Sequence, residues 1–449
     1  MTLEVADSGR AAVDDRRAAG EFFRVAQAFG HDLRRLEAGE AVSRDLRVPD
    51  CAGMRRLLCH ADEATRAARL ASFFQPPLLA RRRLGQGMHD RGEAATWAGG
   101  PLVESDARGL ARHFPCHVRT LSLSEKRVAA GEVWDVSVRG AVWGLDDLEE
   151  LYVGVNVGTL ILEPGAALIV RGNVLSLLCQ RLVVQESQGP EARPWNIGIL
   201  PTPFPVDPRH GPWQGAAGRA GAAGASGARG EAPVLRQSLL GPVLAAPCAA
   251  AAREGRTGGD GAPGEAGGHG RNGGMCKLAE ITLRELEGSL TVFSQPGAGG
   301  DGGDGGHGGD GGRGGDGAPG AATLTETLMP GGGGDGGAGG DGGEGGHGGS
   351  GGIASNIYVD LPARAAARVA CLSFASSPGR GGASGRGGSG GRGGAAGLGP
   401  DARSAAPGKT GADGRGGRPG LGGRPRAGAT IFLNGAIVAT GEVSAQGAE

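Results

Sequence analysis

The fold turns on residues 297–352, which read GAGGDGGDGGHGGDGGRGGDGAPG, then AATLTETLMP, then GGGGDGGAGGDGGEGGHGGSGG. The period is three, and mostly two of every three residues are glycine. A polyproline-II backbone has three residues per turn, rises about 3.1 Å per residue and makes no internal hydrogen bonds. With glycine in place of proline, its N–H and C=O groups point outward and need partners. Parallel-lying neighbours of the same kind supply them, which is the polyglycine-II arrangement. Two glycine rows let backbones touch. The third row (Asp301, Asp304, His307, Asp310, Arg313 and Asp316) is expected to face solvent as a charged surface. A disordered linker and a collagen triple helix compete with this reading. Held register, scarce serine and a charged third row speak against the linker. Few prolines and a glycine excess speak against collagen.

Four further runs extend the pattern. Run 1 has glycine at 215, 218, 221, 224, 227 and 230, and run 2 spans 255–274. Runs 3 and 4 are 297–320 and 331–352. Run 5 spans 378–400, with glycine at 379, 382, 385, 388, 391, 394 and 397. Run 6 spans 408–425. Within each pair the link is short or apolar (233–254, 321–330, 401–407), and between pairs lie strand-like inserts at 275–296, 353–378 and 429–440. The grammar is rung, hairpin, rung. The rows through Gly215, Gly218 and Gly221, through Gly300, Gly303 and Gly306, and through Gly382, Gly385 and Gly388 are the expected contact lines. Runs with two glycine rows should be the most enclosed, and run 1, with one, peripheral.

Upstream, residues 120–187 read in period two, as in LYVGVNV and TLILEPGAALIVRGNV, with Pro164-Gly165 and Gly172-Asn173 as turns. Leu160 and Leu162 recur as Leu182 and Val184 after 22 residues, about one turn of a parallel β-helix. This segment resembles the right-handed single-stranded parallel β-helix families; an antiparallel sandwich is the alternative. Residues 1–115 are expected to be a small helical region. One apolar stripe runs through Phe22, Ala26, Phe29, Leu33 and Leu36. A second helix, capped by Asp50, would bury Met54, Leu58, Ala61, Ala64, Ala68 and Ala71. Residues 191–214, rich in proline, are expected to be an irregular loop. The expected domains are thus 1–115, 116–190, 191–214 and 215–449. The fold class is mostly β and irregular: a β-helix-like base, a bundle of about six polyglycine-II helices and an N-terminal helical region.

Net charge of −1 gives no electrostatic case for nucleic acid, and no apolar stretch is long enough to span a membrane. The N-terminus lacks a signal-peptide pattern, so a cytoplasmic place or a surface reached by a non-Sec route is expected. Seven scattered cysteines do not form a disulfide framework. No cofactor is expected. Same-row carboxylates on one threefold helix stand about 9 Å apart, too far to grip one ion. His113, Cys116 and His117 could be soft ligands, but no second cluster accompanies them. Asp146, Asp147, Glu149 and Glu150, near Trp143 and Tyr152, are the weak binding candidates; such a group on a β-helix could hold or cleave a sugar chain.

The triplet grammar over 215–425 resembles the tip adhesins of some bacteriophage tail fibres and the glycine-rich antifreeze proteins of snow fleas. The first resemblance implies specificity in end loops, here 233–254, 321–330 and 401–407, presented to a protein or a surface glycan, or self-assembly. Charged rows argue against the second, ice-binding, reading. The leading expectation is a non-enzymatic structural or adhesive protein; a carbohydrate-active β-helix enzyme is the alternative.

Overall fold

Strands rich in valine, leucine and isoleucine on both faces suit a parallel sheet covered on both sides. In the computed structural model, which describes residues 20–73 (side chains to 70), 96–99, 111, 114–145, 151–186, 193–203, 213–401 and 403–442, such strands build two stacked sheets. In chain order the strands are β1 (Val42–Val48), β2 (Cys116–Val128), β3 (Val133–Asp135), β4 (Leu151–Leu162), β5 (Ala167–Arg171), β6 (Val174–Val184) and β7 (Ile197–Leu200). Then come β8 (Leu235–Ser238), β9 (Gly241–Leu244), β10 (Ala279–Glu287), β11 (Leu290–Ser294), β12 (Ala321–Ala322) and β13 (Thr327–Leu328). The last are β14 (Ile357–Asp360), β15 (Val369–Ser373), β16 (Thr430–Leu433) and β17 (Ala436–Thr440).

The large sheet has the order β1-β2-β4-β6-β10-β14-β16-β17, and the small one β15-β11-β7-β5-β3. From β2 to β16 every neighbouring pair is parallel, so the antiparallel sandwich is excluded; only the edge strands β1 and β17 run antiparallel. The chain alternates between the sheets, and the 22-residue recurrence places Leu160 opposite Leu182 and Leu162 opposite Val184. Between the sheets lies one core, including Val155, Leu168, Leu177, Ile199, Ile281, Val292 and Val359.

The outer face of the large sheet is covered by four helices: α1 (20–28), α2 (Leu33–Glu37), α3 (Cys51–Leu58) and α4 (Glu63–Phe73). Phe29, Met54, Leu58 and Trp97 pack there against Val118, Tyr152, Leu178, Tyr358 and Phe432. Four expectations are corrected. The first helix breaks at Gly30, whose φ is +72°, and restarts at Asp32, whose carboxylate accepts from Arg34 N at 3.0 Å. The second also splits, at 59–62; Asp50 does cap α3, but Ala64 and Ala68 are exposed and Arg69 is fully buried, while the side chain of Ala71 lies outside the described residues. The region read as helical contains strand β1, because Val42 and Val48 are buried when it pairs with β2. The stretch read as a proline-rich loop contains β7, whose Ile197 and Ile199 complete the core.

Runs 1 and 2 leave the stack between β7 and β10, runs 3 and 4 between β11 and β14, runs 5 and 6 between β15 and β16. Each pair is therefore rooted one strand further along the sheets, a step of about 4.8 Å. The runs join by backbone hydrogen bonds whose register advances three residues at a time. Within one layer run 1 donates to run 3 (Gly215 N to Asp301 O, Gly218 N to Asp304 O) and run 3 to run 5 (Gly302 N to Arg380 O, Gly305 N to Ala383 O). In the other layer run 2 donates to run 4 and run 4 to run 6 (Gly258 N to Asp335 O, Gly336 N to Lys409 O). Antiparallel bonds join the layers, as from Gly303 N to Gly268 O and from Gly340 N to Gly309 O, 2.9 and 2.8 Å.

Candidate binding surface

The glycine rows are contact lines in a literal sense. A Cβ at Gly303 would sit 2.0 Å from Ala216 O, at Gly306 1.9 Å from Arg219 O, and at Gly385 2.0 Å from Gly306 O. The rows through Gly215, Gly218 and Gly221, and through Gly300, Gly382 and Gly388, are equally tight, at 1.9–2.1 Å from a neighbouring carbonyl oxygen. Runs 3 and 4 are bonded to four neighbours each; runs 1 and 6, with a single glycine row, lie at the margins.

The third row does more than face water. Asp301, Asp304, Asp310 and Asp316 accept, through Oδ1, the amide hydrogens of Arg380, Ala383, Ser389 and Ala395 at 2.7–2.8 Å. His307 does the same for Arg386 through Nδ1, at 2.9 Å. Asp335, Asp341 and His347 serve Lys409, Arg415 and Leu421 on run 6. Each side chain satisfies an outward amide that no backbone oxygen reaches. The Ala395 amide, and next Arg229, hold the Asp316 carboxyl below the usual carboxylate range. Only short acceptors fit the role, and the row holds Asp, His and Ser at these positions. Sequence reading took them as a solvated face; the recurring choice of short acceptors was the available signal.

The free ends of the runs lie opposite the stack. There the β8–β9 hairpin touches the β12–β13 hairpin, with Leu324 N donating to Pro242 O at 3.3 Å, and Arg253 Nη1 donates to Met329 O at 2.6 Å. The third loop is tied to run 4, Gly333 N donating to Ala406 O at 3.0 Å. These are the three loops expected to carry specificity. Exposed leucines stand at the first apex, Leu239 and Leu240 at 107% and 83%, with Leu235 in the same hairpin and Leu324 and Met329 in the second loop; Arg236, Glu326, Asp401 and Arg403 are exposed among the three loops.

The remaining candidates are placed only in part. Asp146, Asp147, Glu149, Glu150 and His113 lie outside the described residues. Tyr152 is buried beneath the helices, so it cannot floor a sugar subsite, and Trp143 packs under Arg119, whose guanidinium carbon is 5.3 Å from the ring centroid. Cys116 is buried in the same cluster, and among the described residues no three His, Cys, Asp or Glu side chains gather to hold a metal. Cysteines in the described residues are free thiols, and burial pushes Cys179 and Cys276 up to about 12. No helix among the described residues is long and apolar enough to cross a membrane.

Comparisons with protein-family models, with curated proteins and with solved structures find no match to this chain.

Proposed function

We propose that this is a non-enzymatic structural or adhesive protein in which a parallel β-helix carries a sandwich of six polyglycine-II rods and presents their end loops to a protein partner. At the polyproline-II rise, runs of 18–24 residues extend about 55–75 Å from the base. Alternation of the chain between two parallel sheets supports the β-helix; the three-residue register of the lattice supports the rods. The observation that carries the functional reading is the exposed leucine cluster at the rod ends. It lacks the aromatic platforms that sugar rings stack on, which favours a protein over a glycan as ligand.

Beads coated with the full chain should adhere to cells or protein-coated surfaces, and a Leu239→Asp/Leu240→Asp variant should adhere at least about tenfold less while melting like wild type. Undiminished adherence of that variant, or its loss only on mutating the stack, would refute the reading.

A further inference from the structure

The near-zero net charge conceals segregation by run. Residues 297–352 carry eight carboxylates against one cation, Arg313; residues 378–426 carry nine cations against two carboxylates, Asp401 and Asp413. Runs 5 and 6 are adjacent, Gly411 N donating to Gly391 O at 2.9 Å, so these cations collect along one edge of the bundle. Arg380, Arg386 and Arg392 stand in the outer row of run 5, beside the acidic row of run 3. Lys409, Arg415, Arg418 and Arg424 stand in the outer row of run 6, on the opposite broad face. All seven are exposed, and among the described residues none has a carboxylate within ion-pair distance. Between the two rows the edge is floored by small residues, Thr410, Gly416, Pro419 and Gly422; a Cβ at Gly416 or Gly422 would meet nothing nearer than 3.7 Å. The one carboxylate there, Asp413, is occupied by the Gly390 amide at 2.8 Å.

We infer that this edge binds a linear acidic polysaccharide whose carboxylates or sulfates pair with the two cationic rows. The guanidinium fork matches such groups bidentately. Along run 6, cations recur at three- and six-residue intervals, about 9 and 19 Å at the threefold rise. The shape of the charge selects a thin chain. Acidic rows on runs 3 and 4 lie one run away, about 4.8 Å, on either face. A nucleic-acid duplex, with a major groove alone about 12 Å wide, would lie over them and be repelled. A single strand would need stacking platforms, and runs 5 and 6 contain no aromatic residue. The inference is separate from the tip, so the two fail independently.

The test uses the full chain with a polygalacturonate oligomer, neutral dextran of similar length and a 30-base-pair DNA duplex, followed by fluorescence anisotropy. Polygalacturonate should bind, and raising salt from 50 to 200 mM should release it; dextran should not bind. Arg415→Gln/Arg418→Gln/Arg424→Gln and Arg380→Gln/Arg386→Gln/Arg392→Gln should each weaken binding about tenfold and flatten its salt dependence. Arg219→Gln on run 1 and Leu239→Asp at the tip should leave it unchanged. Absence of polygalacturonate binding, duplex binding that is tighter, or triple variants that melt normally and bind like wild type would each overturn the inference.

Discussion

At the scale of the residue, two substitutions of the same kind should have opposite outcomes. Gly306→Ala drives a Cβ to 1.9 Å from Arg219 O, and backbone on both sides leaves it nowhere to go. It should cost at least about 2–3 kcal/mol in thermal unfolding. Gly416→Ala, on the open edge, should change stability by no more than about 0.5 kcal/mol. Equal effects would mean that the runs do not touch. The latch is separable from the row. Asp304→Ala orphans the Ala383 amide and should cost about 1 kcal/mol, while Asp304→Asn keeps an acceptor and should restore most of it. Histidine supplies a pH test elsewhere. His31, 6% exposed between Ser122 Oγ at 2.8 Å and Thr120 Oγ1 at 3.1 Å, is pushed down to about 4 by burial and then by Arg44. Its folded value lies below the ordinary 6.5, so the unfolded chain binds the proton first. The stability it confers is complete above 6.5 and is lost as pH falls toward 4, about 2 kcal/mol by pH 5. Melting curves at pH 7 and pH 5 should show this drop in wild type and a smaller one in His31→Asn.

At the scale of the element, legibility followed local information. The 22-residue recurrence paired β4 with β6 in the right register, because a one-residue slip would turn Leu160 and Leu162 out of the core. Asp50 was legible as a cap because capping is decided within three residues. The face of α4 was not. An alanine stripe looked like the buried side, yet Arg69 is buried, its guanidinium donating to Glu280 Oε1 at 2.6 Å and to Asp360, and lying 4.3 Å above the Tyr358 ring. Those partners are more than 200 residues away, and no helical periodicity announces them. Glu280 also receives the His60 amide at 2.9 Å, so it ties α4 and the α3–α4 link to β10. Glu280→Ala leaves a buried guanidinium short of a partner. It should cost about 3–5 kcal/mol and release the helices from the sheet, seen as early proteolysis within 20–73 with the runs intact. Cleavage unchanged from wild type would show that apolar contacts alone hold the helices.

At the scale of the whole molecule, the problem is the cost of ordering glycine, about 1–2 kcal/mol per residue of backbone entropy. A lone pair of runs has too few partners to offset it. The stack solves this by rooting successive pairs at the strand spacing, so each new run meets amides and carbonyls already in place. Growth stops where the rows change: Ala, Arg and Ser replace the outer glycines of run 1, and Lys, Arg, Thr and Pro those of run 6. Side chains there keep further backbones away, as edge strands are blunted in sheets. This grammar was readable because it is periodic; the charge segregation between runs was hidden by a sum near zero. If the stack templates the lattice, protection should grade outward from the doubly flanked runs. In hydrogen exchange of the full chain, Gly337, Gly340 and Gly343 on run 4 should exchange slowest, and Gly411, Gly414 and Gly417 on run 6 at least about tenfold faster. A synthetic peptide of 297–352 alone should exchange at the unprotected rate and give a disordered circular dichroism spectrum. Slow exchange in that peptide would make the lattice self-sufficient, and uniform fast exchange across 297–352 in the full chain would mean the runs are not laterally bonded at all.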